Sequence, residues 1–331
     1  MTRPPRILVI KLSALGDLVL AFPAFARIRI AHPDAHITLL TTAPYASLTA
    51  SCPWFDAVDA DGRPRGVAAS LALFRRIRRG RFDRIYDLQA NDRTNLLFQA
   101  LRPLPPEWSG VAFGCALPDH GPRMTRHTLE RQAGQLQAAG IWPDAPTAPG
   151  TAPRPDLSWL LRQAPQAPAE ALARSRPIAL LAPGAAPTRP AKLWPAEAYA
   201  DLARRLDEIG MAVMIVGGPA ERDIARTIAA ATPGVLDLTG RTDFAAVAAL
   251  GARAAVAVGN DTGPMHLIAA AGAPSVSLFS TDSDPALCAP RGRVTVLREP
   301  RLADLPVERV WRTVLAAVNS PDSEESRTSV S

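Results

Sequence analysis

The chain has 331 residues, 47% hydrophobic and 21% charged, with a formal net charge of +6; this length favours two domains, and the balance is that of a globular protein with a sizeable core. No apolar run reaches the roughly 18 residues that a membrane span needs. The run ILVI (7–10) behind the basic N-terminus is too short for a secretion signal, so a cytoplasmic protein is expected.

Short, continuously apolar runs alternate with longer amphipathic segments. Strands are predicted at 6–11, 36–41 and 84–89, with helices over 17–31, 67–80, 92–101 and 124–139. A stretch packed with Pro and Ala, about 142–176, interrupts the alternation and reads as a linker with at most a short helix. Strands at 177–182, 212–217, 254–259 and 274–279 then alternate with helices near 196–209, 220–231, 243–252 and 262–272, and a last helix covers 306–318. Strands that are apolar throughout, in βαβα order, predict an α/β fold of doubly wound parallel sheets covered on both faces. The expected organisation is an N-terminal domain (1–150), a linker (151–176), a second domain (177–300), a C-terminal helix (301–318) and a disordered polar tail (319–331). Two such domains on a hinge predict a cleft, with ligands beyond the carboxyl ends of the strands.

Three cysteines, Cys52, Cys115 and Cys288, lie far apart without a CxxC pair, which disfavours a disulfide scaffold or a structural zinc site. The positive charge is concentrated. Between Arg63 and Arg84 eight arginines face one acid, Asp83, giving that stretch more charge than the whole chain's +6. Only Lys11 and Lys192 among the 37 basic residues are lysines; where Arg has replaced nearly every Lys, those two can mark sites that need a compact ammonium.

Several signatures are absent. KLSALGD supplies a single glycine after the first strand, so a GxGxxG dinucleotide site is disfavoured, and GxxxxGK[ST], GxSxG and HExxH do not occur. TDSDP (281–285) contains a DxD pattern but sits in a Pro-flanked loop and reads as a structural turn, while His32 and His36 flank a turn as surface histidines. No metal site is expected.

The strongest local signal is VAVGNDTGPMHLIAAAGAPSVSLF (256–279). A strand ends at Gly259, Asn260 and Asp261 turn, and Thr262 and Gly263 open a helix with Pro264 in its first turn. Amides at Thr262, Gly263 and Met265 would form an anion site suited to a diphosphate, with His266 one turn in; the alternative is that Asp261 simply caps the helix. LAPGAAPTRPAKLWP (181–195) offers the other half, a glycine-containing loop with Lys192 before a Trp-Pro pair. Glu221, in VGGPAERD, stands where a carboxylate can accept from ribose hydroxyls. In the first turn, Ser13 and Gly16 allow close backbone approach, and Asp17 either caps the following helix or accepts a proton from an attacking hydroxyl; the residues alone leave both open.

ILVIKLSALGDLVLAFPAF at the start, APGA followed by KLWP in the middle, and GNDTGPMHLIAAAGAPSVSLF late in the chain resemble the ADP-heptose:lipopolysaccharide heptosyltransferases of glycosyltransferase family 9. The resemblance implies a GT-B architecture of two Rossmann-like domains, with donor bound by the C-terminal one and acceptor by the N-terminal one. It implies an inverting, metal-independent transfer from an ADP-sugar, with no cofactor. By likeness, Asp17 is the base and Lys192 the diphosphate lysine, Asp261, Thr262 and Gly263 hold sugar and phosphates, Glu221 falls near the ribose position, and His266 lies in the same motif. Ser13 and Gly16 are placed with the donor contacts.

Within this likeness the arginine cluster reads as an acceptor feature. Arg63, Arg65 and Arg75 are candidates for the carboxylates and phosphates of an anionic glycolipid at the inner membrane, where the protein would sit peripherally on the cytoplasmic face. A solvated helix face is the alternative; nucleic acid is disfavoured, since aromatics total only 5%. Other readings are an epimerase or hydrolase of the same fold, a heptosyltransferase acting on protein or another glycan, and a catalytically silent nucleotide-binding partner.

Overall fold

The computed structural model describes residues 3–162, 167–173, 175–185 and 189–319. Parts of the expected linker (163–166 and 174), of the APGA loop (186–188) and of the expected tail (320–331) lie outside the described residues. Two compact units emerge, Met1–Pro155 and Asp156–Ser331.

The first unit runs β1 (Arg6–Ile10), α1 (Leu15–Val19), α2 (Phe22–Ala31), β2 (His36–Leu40), α3 (Ala46–Ala50), β3 (Ala57–Asp59), α4 (Val67–Gly80), β4 (Arg84–Asp87), α5 (Asp92–Ala100), β5 (Glu107–Gly110), β6 (Leu117–Pro118) and α6 (Thr128–Ala138). Its six strands are parallel, in the order β3-β2-β1-β4-β5-β6. The second unit runs α7 (Ser158–Leu161), α8 (Ala169–Leu172), β7 (Ile178–Ala182), α9 (Ala196–Glu208), β8 (Ala212–Ile215), α10 (Arg222–Ala231), β9 (Leu236–Asp237), α11 (Phe244–Arg253), β10 (Ala254–Asn260), α12 (Gly263–Ala270), β11 (Ser275–Phe279), α13 (Pro285–Cys288), β12 (Val294–Arg298) and α14 (Val307–Val318). It repeats the topology: six parallel strands, β12-β11-β10-β7-β8-β9. The expected α/β class and doubly wound sheets are both present.

Burial explains why the apolar runs became central strands. Every residue of β7 and β11 is buried, and β1 is buried from Ile7 to Ile10, as helices on both faces require. The strands that carried no readable signal, β3, β5, β6, β9 and β12, lie towards the sheet edges and are short or half-exposed. The helix expected over 17–31 is two helices. Pro23 stands in the first turn of α2, where its missing N–H is harmless; inside one continuous helix it would delete a bond and clash.

The Pro-rich segment is less of a spare linker than its composition implies. Glu130 on α6 accepts from the Gly150 amide at 2.9 Å and also from that of Ala152, fastening this stretch to the first unit. Beyond it, α7 buries Trp159 and Leu160 and packs on α11 in the second. The C-terminal helix α14 likewise sinks Val310 and Val314 into the second unit's core. Cys52, Cys115 and Cys288 are free thiols.

Gly259 shows how tightly β10 is pressed at its carboxyl end. A Cβ there would stand 2.6 Å from Met265 Sδ and 2.8 Å from Ala182 Cβ. Gly259→Ala is therefore expected to cost about 1–3 kcal/mol through overpacking, read as a lowered Tm in thermal unfolding. An unchanged Tm would show that the strand has room to spare.

Candidate active site

In each sheet the strand order reverses between the first strand and the fourth, β1/β4 and β7/β10, and the carboxyl ends at such a switch point are where doubly wound sheets bind ligands. Apart from Arg65 and Arg75, the sequence-predicted site residues lie in the segments about these two strand ends.

At the first rim β1 runs into Lys11, Leu12, Ser13 and Ala14, and α1 follows. Asp17, half-buried in α1, turns its Oδ2 back to the Ala14 amide at 3.1 Å. A carboxylate there adds favourable charge at the helix start while keeping its remaining oxygen uncommitted by that bond. Gly16 is buried in the same helix. The Ser13 hydroxyl accepts from Arg63, and the Thr42 hydroxyl donates to Leu12 O at 2.9 Å. Tyr45 stands close by: burial raises its phenol pKa, and the Arg63 guanidinium opposes this. Ser13, Gly16, Asp17 and Arg63 are thus brought together. Arg65 is exposed ahead of α4, and Arg75 is exposed on it.

Beneath this turn lies a group that sequence reasoning did not find. Asp87, at the end of β4, is fully buried; its Oδ1 accepts from the amides of Gln89 (3.1 Å) and Ala90 (2.8 Å), and Ala90 adopts the left-handed region at φ 48°. Burial pushes the Asp87 carboxyl up to about 6. Lys11, 2% exposed, donates from Nζ to Leu88 O at 3.3 Å. Burial lowers its pKa, the carboxylates of Asp17 and Asp87 resist that change, and Arg131 and Arg123 add to it. Gln89 completes the group: its Oε1 accepts from Leu12 N (2.8 Å) and Ser13 N (3.2 Å).

At the second rim the Lys192 ammonium, 7% exposed, lies 2.5 Å from Asp261 Oδ2, and the Ser283 hydroxyl donates to the same oxygen. Thr262, rather than Asp261, occupies the N-cap position of α12, without a side-chain capping bond, and Pro264 sits in that helix's first turn as expected. The Thr262 and Gly263 amides have no partner among the described residues, whereas the Met265 amide donates to Thr262 O at 3.2 Å and so leaves the expected anion cradle. His266 is buried on α12. Glu221 bonds the Gly218 amide at 2.7 Å, and its carboxylate lies against the loop leaving β7: a Cβ on Gly184 would meet Oε1 at 2.9 Å. Buried Asn260 ties the rim together. Its Nδ2 donates to Pro183 O (2.7 Å), and its Oδ1 accepts from Tyr199 OH (3.0 Å) and the Trp194 amide (3.4 Å). In TDSDP, Asp284 caps α13 through the Ala286 amide at 3.0 Å, consistent with a structural turn.

Residues 70–303 match the sequence profile of glycosyltransferase family 9 (heptosyltransferase). The chain belongs to this family. The family 9 chain is 27% identical over 304 residues to lipopolysaccharide heptosyltransferase 2 of Escherichia coli K12, covering 84% of this chain and 83% of that one. In fold it is similar to the solved structure of E. coli ADP-heptose LPS heptosyltransferase II (TM-score 0.75, 24% identity, 95% and 98% coverage). It is also similar to that of the E. coli heptosyltransferase WaaC with ADP (TM-score 0.72, 21% identity, 94% and 99% coverage). This glycosyltransferase therefore has the two-sheet GT-B architecture expected from its motifs. No helix among the described residues is long and apolar enough to cross a membrane.

The raised Asp87 pKa fixes the sign of a pH effect. The folded state holds this proton more tightly than the unfolded chain, so the Asp87 contribution is lost as pH rises from about 4 to 6. Asp87→Asn, which keeps an acceptor oxygen, should gain stability relative to the parent between pH 4.5 and 7, by on the order of 3 kcal/mol at most, read as a rise in relative Tm. Parallel thermal melts at both pH values check this, and a difference independent of pH would contradict it.

Proposed function

We propose that this glycosyltransferase moves heptose, or a closely related sugar, from an ADP-sugar onto an anionic lipopolysaccharide inner-core acceptor, with inversion and without a metal ion. The observation that carries the reading is the division of labour between the rims. One presents a half-buried carboxylate, Asp17, on a bonded turn; the other gathers Lys192, Asp261 and two helix-opening amides.

Single displacement at an anomeric carbon needs an acceptor hydroxyl relieved of its proton and a diphosphate leaving group whose charge is met. Asp17 takes that proton. Lys192 and the amides of Thr262 and Gly263 meet the diphosphate, and Asp261 orients the lysine through the ion pair. With the leaving charge so answered, the scheme calls for no divalent ion, and with one displacement it calls for no second carboxylate. Glu221, held against the loop leaving β7, accepts from the ribose hydroxyls, and His266 backs the phosphate loop from α12. Ser13 and Gly16 allow the donor sugar close approach to the first turn.

The acceptor's anionic groups fall to Arg63, Arg65 and Arg75. Arg63 has the best support, because its guanidinium reaches Ser13 in the base-bearing turn. A lipid-linked acceptor puts the enzyme on the cytoplasmic face of the inner membrane as a peripheral protein. The names of the E. coli relatives, an ADP-heptose enzyme among them, support the choice of sugar and nucleotide.

The deciding experiment offers ADP-, GDP- and UDP-sugars with and without a Kdo-containing lipid acceptor in the presence of EDTA. ADP release that depends on acceptor is expected; release without acceptor would indicate hydrolysis or epimerisation instead. Asp17→Ala should lower turnover by about 10²–10⁴-fold while the ADP dissociation constant, measured by calorimetry, stays within a few-fold. Lys192→Met should weaken ADP binding by roughly 10- to 100-fold through loss of a charge-assisted contact. Unchanged ADP affinity in that variant would misplace the diphosphate.

A further inference from the structure

Gln89 lies outside every motif that pointed to function, yet its side chain holds the turn on which the base is mounted. Pairing between β1 and β4 ends at Ile10 and Asp87, so the amides of Leu12 and Ser13 have no strand to bond. Gln89 Oε1 takes both, at 2.8 and 3.2 Å. The next amide, Ala14, is the one that bonds Asp17 Oδ2. The carboxylate and the glutamine therefore hold three consecutive amides of one turn. Gln89 is itself fixed, because its backbone amide is bonded to buried Asp87, and Lys11 secures the carbonyl of Leu88 beside it.

We propose that Gln89 is a positioning residue that sets where the Asp17 carboxylate stands during transfer. A side-chain oxygen suits this position because its two lone pairs can accept from both N–H groups at once. The second unit repeats the construction at the matching strand end, where the Asn260 amide grips the loop leaving β7 through Pro183 O. Displacing a catalytic group by about 1 Å costs on the order of 10²-fold in rate, so the grip bears on turnover rather than on donor affinity.

The proposal rests on Asp17 being the base, and the test separates the two. Kinetics with donor and acceptor are measured for Gln89→Met, which keeps the length but loses the acceptor; for Gln89→Glu, which keeps an acceptor oxygen; and for Asp17→Asn. Gln89→Met should lower kcat about 10- to 100-fold, with donor KM and ADP affinity within two-fold and Tm within a few degrees, and Gln89→Glu should recover most of that loss. If Gln89→Met does not fold, Gln89→Asn, too short to reach both amides, takes its place under the same criteria. Inactive Asp17→Asn beside Gln89→Met with parental kcat would overturn the positioning role and leave the base standing. A kcat loss as deep in Gln89→Glu as in Gln89→Met, or a change confined to donor KM, would also overturn it. Active Asp17→Asn would remove the base and the positioning role together.

Discussion

Parallel strands end in a problem that hydrogen bonding must solve. Where β1 stops pairing with β4, and β7 with β10, the outgoing loops carry backbone groups into a crevice with no further strand to bond, and a buried unpaired amide or carbonyl costs about as much as a lost hydrogen bond. Both units answer with a side-chain amide at the end of the fourth strand. Gln89 takes two N–H groups of the loop after β1, and Asn260 gives its NH₂ to Pro183 in the loop after β7. Each loop then runs to a group of the proposed site, Asp17 in one unit and Lys192 in the other. What the amides contribute is register, since a loop bonded at its root presents its tip in one place.

The charges beneath the rims follow the same logic. Asp87 and Lys11 are both buried in the first unit, each bonded to backbone groups, and Lys192 and Asp261 form an ion pair in the second. Buried ion pairs are weak contributors to net stability because desolvation offsets most of the attraction. Their value here is directional. Asp87 spends its Oδ1 on two backbone amides that turn the chain after β4, and Asp261 stands between Lys192 and Ser283, which limits where the ammonium can point.

Central elements were legible in the sequence because their signals are local. β1, β7 and β11 are apolar runs, α4 spans the predicted 67–80, and the GNDTGPMH segment folds as the expected strand, turn and Pro-started helix. Edge strands of two or three residues, such as β3 and β9, have no periodicity to read. The grips were invisible for a different reason. Leu12 and Gln89 lie 77 residues apart, as do Pro183 and Asn260, and nothing in DLQ or GND announces a partner at that distance. Asp87 offered one cue in hindsight, a carboxylate closing an apolar strand, which burial must either neutralise or bond. The two-helix break at Pro23 was readable from proline's missing donor, but the amphipathic run around it masked the signal.

The two lysines bring these threads together. In a chain whose other permanently charged basic residues are arginines, Lys11 and Lys192 are deeply buried; no arginine among the described residues is buried to that degree. Both lie in segments leaving the first strand of a sheet, at the rim where the order of strands reverses. A guanidinium there would bring five donors in a rigid plane, each needing an acceptor, whereas an ammonium brings three on a rotatable stem and fits a narrow site. Lys11 settles for one carbonyl and nearby carboxylates, and Lys192 for one carboxylate oxygen. Arginine can cover the surface because water satisfies its spare donors. At the strand ends Lys11 and Lys192 are buried, and there the compact ammonium leaves fewer donors to satisfy than a guanidinium would.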